Sequence, residues 1–138
     1  MTVVLCAETD TATIESVVGG LIRAWNDGDA LEFASFFAED GEMVNLHGMH
    51  LRGRQAIAGV YQLLFRSALF RSRISGEISS CRMLGKGVAQ LHVPVTLGVS
   101  SGPKAGLHLV VCGLVLVRES AEWRVASLQS TWVTAPGA

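Results

Sequence analysis

Apolar residues in the first half of the chain recur at the spacing of α-helices. Positions 14, 17, 18, 21, 22 and 25 are apolar, a pattern that predicts a first helix ending at Asn26-Asp27-Gly28. Asp29 is suited to cap a second, shorter helix, whose buried face is predicted at positions 30, 33, 34 and 37. A third helix is predicted to open at Gly53-Arg54 and to continue to Ala68.

Other segments, one between the second and third helices and the rest after the third, have the apolar and polar pattern of β-strands. A first strand is predicted at Glu42–His47, after a turn at Glu39-Asp40-Gly41, with a short partner strand at Met49–Leu51. Four longer strands are predicted over residues 73–84, 88–99, 107–117 and 123–133. The third of these is apolar on both faces, which is typical of a central strand buried on both sides. Pro94 lacks a backbone N–H and is expected at an edge or a bulge.

Three helices interleaved with a small hairpin, followed by four long antiparallel strands, indicate an α+β fold. We expect a cone-shaped, curved antiparallel sheet wrapped around the three N-terminal helices, with a pocket between helix and sheet. Neither an internal repeat nor a linker divides the sequence. Residues 1–138 are therefore predicted to form one domain, with a core over about residues 10–133 and short flexible termini.

Composition narrows the range of partners. Of the 138 residues, 49% are hydrophobic and 17% are charged, which excludes a disordered chain. The 11 basic and 12 acidic residues form no basic cluster, so we expect no nucleic-acid partner and no membrane surface. The longest apolar run, 107–117, is too short to span a bilayer, and the N-terminal segment lacks the basic residues of a signal peptide. These features favour a cytoplasmic protein.

The sequence shows no pattern of a metal or cofactor site. Cys6, Cys81 and Cys112 are far apart and lack CxxC spacing, so we expect neither a disulfide framework nor a zinc site, and free thiols at the latter two. His47 and His50 have ligand-like spacing, but a predicted turn separates them and no third ligand is near. No phosphate-binding loop or dinucleotide fingerprint is present. We therefore expect no cofactor.

Four segments, in order along the chain, carry a resemblance to a known family. They are Ala24–Ala30 (AWNDGDA), Phe36–Gly41 (FFAEDG), Gly53–Ile57 (GRQAI) and Trp123–Thr131 (WRVASLQST). The chain resembles the nuclear-transport-factor-two-like superfamily, which contains ketosteroid isomerases and SnoaL-like polyketide cyclases. Within it, the chain is similar to the small SgcJ/EcaC-type proteins, many encoded in natural-product gene clusters. The resemblance implies a cystatin-like α+β barrel, but members range from isomerases, cyclases, epoxide hydrolases and dehydratases to non-catalytic proteins.

The resemblance also marks where this chain departs from the isomerases. Asn45 stands where their catalytic aspartate is expected, Leu21 where an oxyanion-hole tyrosine is expected, and Gly113 at or next to the second oxyanion donor. Because an amide has no ionisable group near neutral pH, ketosteroid-isomerase chemistry is not expected. The pocket-facing positions of the family are occupied here by Trp25, Phe37, Tyr61 and Trp132. This set predicts an apolar, aromatic binding site for a hydrophobic small molecule.

His47 is the candidate general base. If strand alternation holds, His47 shares a face with Asn45 toward the pocket, where an imidazole can act as base or acid. The alternative is a half-solvated position at the pocket mouth. Tyr61, on the facing helix, can donate a hydrogen bond to a carbonyl or a developing enolate, and Asn45 can contact the same ligand. His92 is expected to face solvent or a subunit contact, and His108 to have a structural or dimer-interface role.

Three classes of function remain open. The first is a SnoaL-like enzyme that cyclises, isomerises or dehydrates a polyketide-like natural-product intermediate, with His47 as base and Tyr61 and Asn45 polarising a carbonyl. The second is a non-catalytic binding or carrier protein for a hydrophobic small molecule, favoured by the missing aspartate. The third is an interaction module with a vestigial pocket, a homodimer through the sheet, because the second apolar face of Leu107–Val117 needs cover.

Overall fold

Three helices and seven strands make up the part of the chain that the structure, a computed structural model, describes, residues 8–134. The helices are α1 (Glu8–Asn26), α2 (Ala30–Ser35) and α3 (Arg54–Leu64). The strands are β1 (Phe37–Val44), β2 (His50–Arg52), β3 (Arg73–Gly76), β4 (Ser80–Gly85), β5 (Val88–Val99), β6 (Gly106–Glu119) and β7 (Glu122–Trp132). The expectation of flexible termini lies outside the described residues. No helix within residues 8–134 has the length and apolarity needed to cross a bilayer.

The strands form one curved sheet in the order β2-β1-β7-β6-β5-β3, with β4 pairing to β5 beyond the end of β3. The predicted α+β architecture, a cone-like sheet with N-terminal helices, is confirmed. The sheet is open rather than a closed barrel. It is also mixed, because β1 and β7 run parallel whereas the other pairs are antiparallel. β1 enters the sheet from α2, not through a hairpin with β7, so no tight turn imposes an antiparallel direction.

β1 is irregular where the sequence pattern predicted a turn. The strand begins at Phe37, so the expected turn at Glu39-Asp40-Gly41 is wrong, and the pairing with β7 shifts register before Glu42. A Cβ atom on Gly41 would stand 2.7 Å from the carbonyl oxygen of Val125 and 3.0 Å from that of Ala38. Glycine is therefore needed here for close approach of two backbones, not for chain reversal.

The strand predicted over residues 73–84 is interrupted and forms β3 and β4. Gly76 pairs with Val95 at the end of β3, and Ser80 pairs with His92 at the start of β4, so the gap lies opposite Pro94. A proline nitrogen has no hydrogen to donate to a neighbouring strand. Pro94 was expected at an edge or a bulge, but it lies inside β5 and keeps its register with β6, and the irregularity falls in the neighbouring strand opposite it.

Polar contacts fix both ends of α1 against the sheet. Asn26 makes two hydrogen bonds with the backbone of Ile74 in β3, at 2.9 and 2.7 Å. At the other end of the helix, the carboxylate of Asp10 accepts hydrogen bonds from Trp123 Nε1 at 3.4 Å and from Arg118 at 3.5 Å. These contacts set the spacing between α1 and the inner face of the sheet.

The two faces of β6 differ in burial. Val110, Leu114 and Leu116 belong to the core, whereas Leu107 and Leu109 on the opposite face are 80% and 60% exposed. The prediction that this strand is buried on both sides is wrong for the single chain, because none of the described helices or strands covers its outer face. Because both faces of this strand are apolar in the sequence, the pattern could not show which of them packs on the core.

The cysteines depart from expectation at one position. Cys81 is disulfide-bonded, so the expected free thiol there is wrong, and Cys6 lies outside the described residues. Spacing along a sequence carries no information about which sulfur atoms approach each other in space. Cys112 is a free thiol, as expected.

Gly41→Ala tests the close approach of the two backbones at the irregular part of β1. The added methyl group meets backbone oxygen atoms rather than a movable side chain, so we expect the free energy of unfolding to fall by about 1–3 kcal/mol. The matched control is Gly59→Ala on the exposed side of α3, where a Cβ atom meets nothing within 4 Å. Because alanine favours a helix more than glycine does, the free energy of unfolding of this control should rise by about 0.5–1 kcal/mol. Urea unfolding followed by tryptophan fluorescence measures both, and a stabilised Gly41→Ala variant would contradict the packing described.

Candidate functional site

An apolar cavity of about 70 Å³ lies between α1 and the sheet, and we call it the inner cavity. Its polar groups are the thiol of Cys112 and the hydroxyl of Ser130. The other lining residues are apolar: Val18, Leu21, Ile22, Trp25, Phe33, Met43, Leu46, Ile74, Val93, Val95, Leu97, Val110, Leu114 and Leu128. Leu21, which takes the place of the isomerases' tyrosine, is thus a cavity residue that brings no hydrogen-bonding group.

A wider pocket of about 260 Å³ adjoins the inner cavity, and we call it the mouth pocket. The two share Trp25, Leu46, Leu97 and Ser130 as lining residues. The mouth pocket is also lined by His47, Tyr61, Ala68, Leu69, Val99, Lys104 and Trp132. Four of the six predicted site residues (Trp25, His47, Tyr61 and Trp132) therefore meet in one pocket, where polar groups lie next to an apolar interior.

Tyr61 is held in an aromatic cluster at the C-terminal half of α3. Its ring lies 5.6 Å from Trp25, 5.1 Å from Phe33 and 5.5 Å from Phe65, and its side chain is 2% exposed. Burial raises the pKa of the Tyr61 hydroxyl well above its usual range, and the side chain of Asn45 lowers it only in part. The hydroxyl therefore stays protonated and can act as a hydrogen-bond donor to a ligand.

Asn45 ends β1 and shapes the turn that follows. Its side-chain oxygen accepts hydrogen bonds from the backbone N–H groups of His47 and Met49, both at 3.0 Å. Its own N–H donates to the carbonyl of Met49 at 3.1 Å, and its carbonyl accepts from Gly48 at 3.0 Å. This local bonding competes with continuation of the strand, so the predicted strand to His47 stops at Val44.

The position of Asn45 suits a positioning residue better than a ligand contact. Its side chain is buried but lines neither the inner cavity nor the mouth pocket. The Nδ2 atom is buried and has no hydrogen-bond partner among the described residues. Asn45 therefore acts on the site through its neighbours: it orders the turn that carries His47, and it lies close enough to Tyr61 to affect the pKa of the hydroxyl.

His47 lies on this turn, is exposed and borders the mouth pocket. The prediction that strand alternation places it on one face with Asn45 is wrong, because both belong to a turn. The alternative, a solvated imidazole at the pocket mouth, describes its position. The sequence thus placed His47 near the pocket correctly, but on a strand instead of the turn on which it lies.

Trp132 is fixed at the mouth by three neighbours. Its Nε1 atom donates to the carbonyl of Leu46 at 3.2 Å, and its ring centre lies 5.2 Å from that of His108. The ammonium of Lys104 stands 5.4 Å from the centre of the same ring. His108 Nε2 in turn donates to the carbonyl of Lys104 at 2.6 Å, so this histidine has the structural role that was expected as one alternative.

Phe37 occupies a different place from the other aromatic site candidates. Its side chain is fully buried and lines neither cavity, and its carbonyl accepts two hydrogen bonds from Arg54, at 3.0 and 2.7 Å. It contributes to the core at the junction of α3 and β1. His92 is exposed, with Nδ1 2.9 Å from the hydroxyl of Ser80, and lines neither cavity.

Three site residues were missed by sequence reasoning: Cys112, Ser130 and Lys104. Cys112 and Ser130 are paired on neighbouring strands, with the sulfur 3.5 Å from the hydroxyl oxygen. Strand alternation could have found both, since each shares the inward face with apolar neighbours. Burial raises the pKa of the Cys112 thiol and Ser130 lowers it only in part, so the thiol stays protonated. Lys104 lies in a loop, where no periodicity applies.

Carboxylates are missing from the site. Within residues 8–134, no Asp or Glu lines the inner cavity or the mouth pocket, and no group of three or more His, Cys, Asp and Glu side chains is placed to hold a metal ion. The polar groups of the two cavities are hydroxyls, a thiol, an imidazole and an ammonium. The arrangement can donate hydrogen bonds and accept a proton at His47.

Replacement of Asn45 tests its role in the turn. Asn45→Ala removes the acceptor of two backbone N–H groups and should lower the free energy of unfolding by about 1–3 kcal/mol. Amide hydrogen exchange at His47 and Met49 should become faster in this variant. Asn45→Asp is the matched control, because a carboxylate oxygen can accept both bonds and should preserve the protection of these amides. Unchanged exchange in Asn45→Ala would contradict the assigned role.

No family profile and no curated protein matches the sequence. Solved structures do match the fold. A domain of unknown function with a cystatin-like fold from Nostoc punctiforme has a TM-score of 0.84 at 22% identity, over 95% of this chain and 82% of that chain. A putative scytalone dehydratase from Novosphingobium aromaticivorans has a TM-score of 0.79 at 13% identity, over 91% and 85% of the two chains.

A ketosteroid isomerase-like protein from Erwinia carotovora atroseptica is similar to the same extent, with a TM-score of 0.78 at 15% identity over 94% of this chain and 100% of that chain. The resemblance to the nuclear-transport-factor-two-like superfamily is therefore confirmed at the level of the fold. Proteins that share this fold include enzymes as well as proteins of unknown function, so the fold alone does not assign a reaction.

Proposed function

We propose that the protein is an enzyme that cyclises, isomerises or dehydrates a compact, polyketide-like small molecule by acid–base chemistry without a cofactor. The observation that carries the proposal is that His47 and Tyr61, a proton acceptor and a hydrogen-bond donor, line one pocket beside an apolar cavity. A dehydratase and an isomerase-like protein among the structures of the same fold support this class of chemistry.

Tyr61 is suited to hold a substrate carbonyl. Its protonated hydroxyl can donate to the carbonyl oxygen, on which negative charge grows as a neighbouring C–H bond breaks. His47 accepts that proton on a ring nitrogen, and the electron pair of the C–H bond moves toward the oxygen. The product of this step is an enolate that accepts a hydrogen bond from Tyr61, with the proton held on the imidazolium.

The fate of the enolate distinguishes the three reactions. Return of the proton to a different carbon gives an isomer. Expulsion of a hydroxyl group, protonated by the imidazolium and leaving as water, gives a dehydrated product. Attack of the enolate carbon on a second carbonyl closes a ring, and the imidazolium protonates the alkoxide that forms. Each route returns His47 to its neutral form and needs no oxidant or reductant.

The cavities favour a small ligand. The two adjoining volumes, about 70 and 260 Å³, together reach only the lower end of the roughly 300–1,000 Å³ of typical sites for drug-sized ligands. The walls contributed by Trp25, Tyr61 and Trp132 are aromatic, which suits a planar or cyclic molecule. A molecule of one or two rings, with its apolar end toward the inner cavity, fits this description.

Proton exchange on 2-tetralone tests the proposal without knowledge of the natural substrate. Exchange next to its carbonyl requires only enolate formation, and NMR in D₂O measures the rate. The wild-type protein should exchange these protons faster than the same concentration of free imidazole does. His47→Ala and Tyr61→Phe should each lower the exchange rate by about 100-fold or to background. His50→Ala, an exposed histidine paired with Glu42 at 2.6 Å, is the matched control and should leave the rate unchanged.

A binding or carrier protein is the second candidate, and it is favoured because, within residues 8–134, no carboxylate lines either cavity. The same experiment separates the two. Binding of 2-tetralone without accelerated exchange would contradict the enzymatic proposal and favour the carrier. A Tyr61→Phe variant that exchanges as fast as the wild type would contradict the role given to that hydroxyl.

We also propose that two copies associate through the outer faces of their sheets. The exposed positions Leu107, Leu109 and Val111 on β6 lie beside Val133, whose N–H donates to the carbonyl of Leu109 at 3.0 Å. The outward positions 107–115 of β6 carry no charged side chain. A second copy brings the same uncharged surface, so a two-fold contact places apolar residues on apolar residues and suits a homodimer better than a charged partner.

Sedimentation equilibrium at micromolar concentration tests the homodimer. The wild-type chain should sediment as a dimer, and Leu109→Asp should shift it to a monomer because a carboxylate would be buried without a partner. Leu63→Asp is the matched control, since Leu63 is 67% exposed on α3, outside the outer face of the sheet. A monomeric wild-type chain, or equal effects of both substitutions, would contradict the proposed interface.

A further inference from the structure

A cation that forms no ion pair with any residue of the described range 8–134 stands at the mouth pocket. Lys104 lies in the loop between β5 and β6, is exposed, and borders the pocket together with His47 and Trp132. Among residues 8–134, its ammonium forms no ion pair. The described ion pairs involve Glu42, Asp10 and Glu122, and none of these carboxylates lines the pocket.

The loop that carries Lys104 is held in place. His108 donates a hydrogen bond to the Lys104 carbonyl, and the Lys104 ammonium lies over the ring of Trp132 at 5.4 Å. The indole N–H of Trp132 is bonded to the carbonyl of Leu46. The positive charge is therefore kept near the pocket by contacts with two strands, whereas a lysine on an open surface is free to extend into water.

The pocket has opposite chemical character at its two ends. The inner cavity offers almost only apolar side chains, with a protonated thiol and a hydroxyl. The mouth offers the Lys104 ammonium, the His47 imidazole and the Tyr61 hydroxyl, all able to interact favourably with negative charge. Because no described Asp or Glu lines either cavity, the positive charge of a cationic ligand would be repelled by Lys104 without a neighbouring negative charge to offset the repulsion.

We propose that the ligand of the mouth pocket is an aromatic or alicyclic carboxylic acid, bound with its apolar body toward the inner cavity and its carboxylate beside Lys104. This inference rests on the proposed function and names its substrate class. It makes Lys104 a specificity residue: the ammonium selects the acid over the neutral analogue and does not take part in proton transfer.

Matched ligands of one carbon skeleton test this inference. 4-Phenylbutyrate, 4-phenyl-1-butanol and 4-phenylbutylamine differ in charge, and each is titrated against the neutral two-ring fluorescent probe 6-propionyl-2-(dimethylamino)naphthalene bound to the full chain. We expect the acid to displace the probe best and the amine worst. Lys104→Gln should weaken binding of the acid by about fivefold, since a solvated charge pair has a modest energy, and should leave the affinity for the alcohol unchanged.

Lys86→Gln is the control for a general loss of positive charge. Lys86 lies in the exposed turn between β4 and β5 and lines neither cavity, so this variant should bind all three ligands as the wild type does. A Lys104→Glu variant should bind the amine more tightly than the acid, the reverse of the order expected for the wild type. Circular dichroism and unchanged affinity for the alcohol show that the variants are folded.

The outcomes separate this inference from the proposed function. The assignment of Lys104 would be overturned if the acid and the alcohol displaced the probe equally well, or if Lys104→Gln lost the same affinity for both ligands. Either result would leave the apolar pocket and its acid–base chemistry intact. Failure of all three ligands to displace the probe would overturn both proposals. Loss of acid binding in Lys86→Gln as well would show a general charge effect and would also overturn the assignment.

Discussion

Packing among four aromatic rings is the contact on which the other elements depend. Trp25 of α1 lies 5.8 Å from Phe33 of α2, 5.6 Å from Tyr61 of α3 and 5.4 Å from Phe65 at the end of α3. The indole N–H of Trp25 donates to Ser72 at 3.0 Å, so its polar atom is satisfied within the core. Because the rings come from three helices, each helix is positioned by the other two. The same cluster presents Trp25 and Tyr61 to the mouth pocket, which makes the core and the site one structure.

Residues on regular elements were predictable from the sequence. The helical spacing identified the buried faces of α1 and α3, and a residue such as Trp25 on such a face must meet the sheet or a cavity beside it. The resemblance added that some of these positions face a pocket, which periodicity alone cannot distinguish from packing; Phe37, fully buried outside both cavities, shows the limit of that distinction.

Residues outside regular elements were not predictable on the same basis. Alternation continued past Val44, but the Asn45 side chain binds two backbone N–H groups and turns the chain, a competition that a hydrophobic pattern does not contain. The parallel pairing of β1 with β7 depends on where α2 delivers the chain. Lys104 reaches the mouth pocket through the geometry of a loop. The candidate chemistry of this site thus depends most on segments about which the sequence says least.

The interruption at Pro94 has a consequence for how copies of this protein can meet. A continuous edge strand presents a row of unpaired N–H and C=O groups that can recruit further strands without limit. Here one border of the sheet is divided between β3 and β4, and the opposite border is β2, three residues long. Neither border offers a template long enough for fibre-like growth. The proposed contact through the broad outer face, by contrast, would stop at two copies because it leaves no second face of the same kind exposed.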